Sequence, residues 1–220
     1  EILESHVNWY HNVMSLLHHW YFIQCSAVDT AARKMIFDDS LMGQLIRFVS
    51  SHEIGHTLGM QHNFAASSAY PVDKLRDKDF VQHYGHTSSI MDYCRFNYVA
   101  QPEDSIPQQY LFPRIGKYDY WCIEWGYRLF PEIENPRDEL QLLSDWIIEK
   151  TKDRYLWFGS GYTGMDPRSQ SEDLGDNQMV GNSYGIKNLK RIVQNLDSWT
   201  AQPNRDYTSL RKMYNEVIDQ

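Results

Sequence analysis

The eleven residues His52-Glu53-Ile54-Gly55-His56-Thr57-Leu58-Gly59-Met60-Gln61-His62 decide how this chain is read. Just upstream, Asp38, Asp39 and Ser40 offer N-cap side chains, and the spacing predicts a helix over about 41–58. On that helix residues four apart share a face, so His52 and His56 point the same way, one turn apart. Leu45 and Val49 run into them at successive intervals of four, three and four, which carries the imidazoles along a core-facing seam. Two imidazoles at that spacing can hold one Zn²⁺, each at about 2.0–2.1 Å.

His62 lies six residues beyond His56. A continued helix would turn through roughly 600° and aim it about 240° away from the other two. It joins them only if the helix stops and the chain doubles back, and Gly59 is the residue that permits such a turn, since it accepts φ > 0 without a Cβ penalty. Three neutral imidazoles leave a fourth zinc position open for water, the mark of a catalytic site; a structural zinc would want a fourth protein ligand, and no nearby Cys has that spacing. Zinc lowers the pKa of such a water from about 15.7 toward about 7. Glu53, next to His52, is placed to take the proton and hand it to a leaving group, as general base and then general acid.

With these residues in hand, the run resembles the long consensus HExxHxxGxxH of the metzincin zinc endopeptidases. Ser89-Ile90-Met91-Asp92-Tyr93 is similar to the family's Met-turn. The resemblance implies that Met91 forms a hydrophobic floor beneath the imidazoles, and that Tyr93 is a fifth ligand or an oxyanion donor. HEIGHTLGMQHNF, SIMDYCRFNYVAQPED and RIGKYDYWCIEWGYR resemble more closely a little-characterised family of large bacterial met-zincin peptidases. Asp119 and Gly126-Tyr127 fall in the pattern of the closing metzincin helix. By the same resemblance Phe96, Tyr98 and Val99, after the Met-turn, border the substrate pocket, with plain core packing as the equal alternative. The implied fold is α+β, predominantly α here, with a truncated N-terminal sheet. It divides into 1–64, part of the N-terminal catalytic subdomain, and 65–220, a helical C-terminal subdomain that holds the Met-turn at 89–93. The implied location is secreted or in the bacterial cell envelope.

Composition limits the other classes. The 220 residues are 42% hydrophobic and 23% charged, which excludes a disordered chain or a coiled-coil rod. A net charge of −8 argues against nucleic acid as a partner, because phosphate binding needs a basic face. No apolar run approaches the roughly 18 residues of a membrane span. Aromatics at 14% suit a core, or a cleft that grips extended peptides or sugars. Cys25, Cys94 and Cys122 form no CxxC pair and read as buried thiols. The first ten residues read as a strand or extended lead-in without a basic n-region, which suits a mature product or an excised domain.

Further helices are expected over 11–24, 28–35, 115–129, 138–151, 185–196 and 207–218, with irregular chain over 61–109 and a polar, Gly-rich connector over 159–184. Asp166, Glu172, Asp173 and Asp176 lie in that connector; they do not match a calcium-binding EF-hand, and a solvated loop with capping aspartates is the simpler reading than Ca²⁺. His83 and His86 read as surface or hydrogen-bonding residues, and His18-His19 carry no metal role. The expected function is zinc-dependent hydrolysis of peptide bonds. The alternatives are a zinc amidohydrolase acting on a non-peptide substrate, and a catalytically incomplete, zinc-containing fragment that binds proteins.

Overall fold

A computed structural model describes residues 2–161, 164, 166–203 and 205–220; Glu1, Tyr162, Thr163, Met165 and Asn204, three of them in the expected 159–184 connector, lie outside the described residues. Among the described residues there are seven α-helices: α1 (Asn12–Cys25), α2 (Asp39–Thr57), α3 (Lys78–Tyr84), α4 (Lys117–Tyr127), α5 (Pro136–Lys150), α6 (Gln178–Thr200) and α7 (Thr208–Asp219). Short 3₁₀ turns link several of them. Among the described residues no helix is long and apolar enough to cross a membrane.

The expectation of an α+β fold with a truncated sheet is corrected here: the described residues contain helices and turns and no strand. Residues 2–10 are exposed and without regular structure, and with no strand among the described residues their amide and carbonyl groups have no ladder to join. The helix expected over 28–35 shrinks to a 3₁₀ turn, Thr30–Ala32, capped by Asp29, whose Oδ1 accepts from the Ala31 amide at 2.9 Å. Conversely, α6 begins at Gln178, ahead of the expected 185, because Asn177 caps it by accepting from the Val180 amide. Within 61–109 the short α3 forms behind Asp77, which accepts from the amides of Asp79 and Phe80.

Helix α1 packs against α2, α6 and α7, and its second half is buried nearly all round. The largest core cluster draws Leu17, Tyr21 and Phe22 of α1, Leu41, Leu45 and Phe48 of α2, Phe96, Phe112, and Ile192 and Met213 of the last two helices. A second cluster joins Tyr70, Leu75, Cys94, Tyr98, Val99 and Leu174. Along α2 the buried positions are Leu41, Leu45, Phe48, His52 and Gly55, a helical seam of alternating four- and three-residue steps that runs from the main core to the first histidine.

Candidate metal centre

Helix α2 ends at Thr57, and the chain turns where Gly59 takes φ +86°. The Met60 amide donates to Gly55 O at 3.1 Å and the Gly59 amide to His56 O at 2.9 Å, the paired bonds of a Schellman cap. Tyr127 of α4 adds a hydroxyl that donates to Leu58 O at 2.9 Å. The turn returns the chain so that His52, His56 and His62 meet, their ligand nitrogens all within 4.8 Å of one another. Among the described residues this is the group of three or more His, Cys, Asp or Glu side chains close enough to share one ion.

Two of the three rings are oriented by backbone carbonyls. His52 Nδ1 donates to Ile90 O at 2.8 Å, and His56 Nδ1 donates to Met60 O at 2.9 Å. A carbonyl only accepts, so each Nδ1 carries the proton and each Nε2 keeps its lone pair for a ligand. Met60 therefore serves twice, since its amide closes the helix and its carbonyl holds His56. His56 Nε2 and His62 Nε2 stand 3.0 Å apart; two nitrogens bound to one tetrahedral zinc would stand about 3.4 Å apart. Burial lowers the pKa of His52; burial, then the charges of His52 and His56, lowers that of His62 to about 4. His52 and His62 are thus neutral at pH 7, the form that binds metal. The donor set and its spacing fit zinc.

Beneath them lies the 89–93 turn. Met91 has no exposed surface and abuts Gly55 of α2. Asp119 of α4 fastens the turn: its carboxylate accepts from Ser89 Oγ at 2.5 Å, the Ile90 amide at 2.8 Å and the Gly116 amide at 2.7 Å. The Ile90 peptide thus hangs from Asp119 on its amide side and holds His52 on its carbonyl side. Burial pushes the Asp119 carboxyl above the usual carboxylate range, against these three donors.

Tyr93 is 41% exposed, its ring 4.4 Å from that of His62 and 5.6 Å from that of His52. Glu53 sits half-buried on α2 beside His52. Phe96 packs against Tyr21, Phe48 and Phe112, and Tyr98 and Val99 belong to the second core cluster. Phe96 and Val99 present no exposed surface. The four connector acids are engaged separately: Asp166 with Arg168, Glu172 with Arg95, Asp173 with Ser67 and Gln178, Asp176 with the Val72 amide and Arg154. Cys25 and Cys94 are buried and Cys122 half-buried, all free thiols. His83 is exposed, and His86, fully buried, donates through Nε2 to Arg95 O.

Two residues at the site carried no mark in the sequence beyond their place after His62. The Phe64 ring stacks on His62 with centroids 5.4 Å apart and planes at 22°. Asn63 is buried and ties the third histidine to its surroundings.

A three-histidine cluster on an HExxH helix, closed by a glycine turn, defines a site of the zincin class. The Met-zincin family model matches residues 34–220, and the chain belongs to that family. No curated protein and no solved structure matches it.

Proposed function

We propose that the chain carries the catalytic centre of a zinc-dependent endopeptidase, with His52, His56 and His62 as ligands. The observation that carries this reading is the turn at Gly59, which brings Nε2 of the third imidazole to 3.0 Å from Nε2 of the second while both α2 rings give Nδ1, not Nε2, to backbone carbonyls. Membership in the Met-zincin family supports it. Bound zinc acidifies water and polarises a carbonyl oxygen. Glu53 takes the proton from the attacking water and delivers it to the leaving amine. The Tyr93 hydroxyl donates to the oxyanion that develops on the scissile carbonyl. Met91 supplies an apolar floor that fixes the depth of the rings.

The test is hydrolysis of casein and of a quenched-peptide panel by the zinc-loaded chain, compared with Glu53→Ala and with chelated protein. Loss of about 10²–10⁴-fold in Glu53→Ala, with zinc still bound, supports the reading. Cleavage confined to small amides would favour a non-peptide amidohydrolase. One observation favours a second reading, a zinc-containing module that binds proteins without cutting them: the described residues hold no strand to pair with an extended substrate. Tight zinc with no hydrolysis of any substrate supports that alternative.

A further inference from the structure

His52 and His56 are each aimed by a hydrogen bond from Nδ1 to a carbonyl, but among the described residues no group bonds His62 Nδ1. Ligating imidazoles ordinarily have such a partner, which fixes the ring and its tautomer. The His62 ring meets Phe64 and Tyr93 instead, two rings that also touch each other, with centroids 5.3 Å apart. Stacking of this kind limits tilt but is not directional enough to set how far the ring reaches.

What fixes the reach is the next residue. Asn63 has no exposed surface, and each of its four polar groups is engaged. Its amide donates to Met91 O at 3.1 Å, and its carbonyl accepts from the Ala66 amide at 3.2 Å. Its side-chain Nδ2 donates to Trp157 O at 2.9 Å, and its Oδ1 accepts from the Gly159 amide at 3.0 Å. The Phe64 amide adds a bond to Gly159 O at 2.7 Å. The backbone that carries His62 is thus clamped to the methionine turn on one side and, through the Asn63 side chain, to a segment nearly a hundred residues later on the other. We propose that Asn63 is the positioning residue for His62, taking the place of the missing ring partner, and that segment 157–159 is thereby a working part of the metal centre. The inference rests on the reading of the histidine cluster as a metal site.

The experiment measures zinc affinity by chelator competition, and the visible spectrum of the cobalt-loaded form, on the whole chain. Asn63→Ala is expected to weaken zinc by about 10–100-fold and to alter the cobalt spectrum. Asn63→Asp, the same size and still an acceptor for Gly159, turns a second acceptor against Trp157 O and is expected to lose affinity as well. Asn188 serves as a control: it is another buried amide, donating to Tyr98 O and Ala100 O away from the histidines. Asn188→Ala should lower the melting temperature yet bind zinc within about twofold of the unaltered chain. In a His62→Gln background, Asn63→Ala should cost no further affinity. The proposal is overturned if both Asn63 variants bind zinc within about twofold and keep the cobalt spectrum, or if Asn188→Ala loses as much affinity as Asn63→Ala. It is overturned too if the Asn63→Ala loss persists undiminished without His62. Failure of the unaltered chain to take up either metal would sink the metal reading itself, a result distinct from these.

Discussion

Gly55 and Met91 meet with no room for a methyl group between them: a Cβ on Gly55 would lie 2.3 Å from Met91 Sδ and 3.3 Å from its Cε. The glycine inside the HExxH stretch is therefore a matter of packing, since it lets the turn that carries Met91 press against the histidine helix one step from His52 and His56. Gly55 also offers the carbonyl that closes the helix cap, so the same residue meets Met91 and ends the helix.

Gly55→Ala should accordingly destabilise the chain by about 1–3 kcal/mol, the usual cost of overpacking a tight contact. Met91→Ala should also destabilise, by leaving a void. The double variant should be less unstable than the sum of the two, by about 1 kcal/mol or more, since the added methyl group occupies space the methionine has vacated. Denaturant unfolding of all four proteins measures the coupling; strict additivity would show that the contact does not matter.

Asp119 is the hub through which α4 reaches His52. In Asp119→Ala three donors, Ser89 Oγ and the amides of Ile90 and Gly116, lose their acceptor at once. Unmet buried donors cost about 1–3 kcal/mol each when nothing relaxes, so a loss of about 3 kcal/mol or more is expected. Asp119→Asn should be milder: its remaining oxygen can keep the two amides while the Ser89 hydroxyl turns to accept from the new NH₂. Both variants should weaken zinc, in the same order, as Ile90 O loosens its hold on His52. Unfolding curves paired with chelator competition check both halves.

His86 gives the chain an acid weakness. It is fully buried, its Nδ1 has no hydrogen-bond partner among the described residues, and burial, with the Arg114 charge nearby, lowers its pKa from 6.5 to about 4. A histidine depressed on folding contributes stability that is complete above its unfolded value and is lost as pH falls through 6.5 toward about 4. At 1.36 kcal/mol per unit the whole window amounts to about 3 kcal/mol. The buried carboxyls of Asp92, Asp119 and Asp173, raised chiefly by burial, act in the opposite sense, gaining stability as pH falls through their own values. Comparison with His86→Gln separates the two effects. The advantage of the unaltered chain over the variant should shrink by about 3 kcal/mol between pH 7 and 4, whereas a constant difference would contradict the assignment.

The histidine site was legible because its logic is local: a four-residue step, a six-residue step and a glycine between them leave one way for three rings to meet. Helices α1, α2, α4, α5 and α7 were legible for the same reason, their apolar positions recurring within a few residues. The lack of a sheet among the described residues was not, because the α+β expectation came from resemblance, whereas strands exist only where a second strand supplies partners, and residues 2–10 have none there. Phe96 and Val99 carry the same apolar character whether they line a cleft or fill a core, so sequence left both readings open. The carbonyls of Ile90 and Met60 that aim two of the rings leave no trace in residue identity, and Asn63 acts through partners almost a hundred positions away.

The most direct measurement is anomalous diffraction at the zinc edge from crystals of this chain grown with zinc. One strong peak is expected at about 2.0–2.1 Å from Nε2 of His52, His56 and His62, with the Nδ1 atoms of His52 and His56 still facing Ile90 O and Met60 O. A peak coordinated elsewhere, or one in which His62 points away while the other two bind, would contradict it.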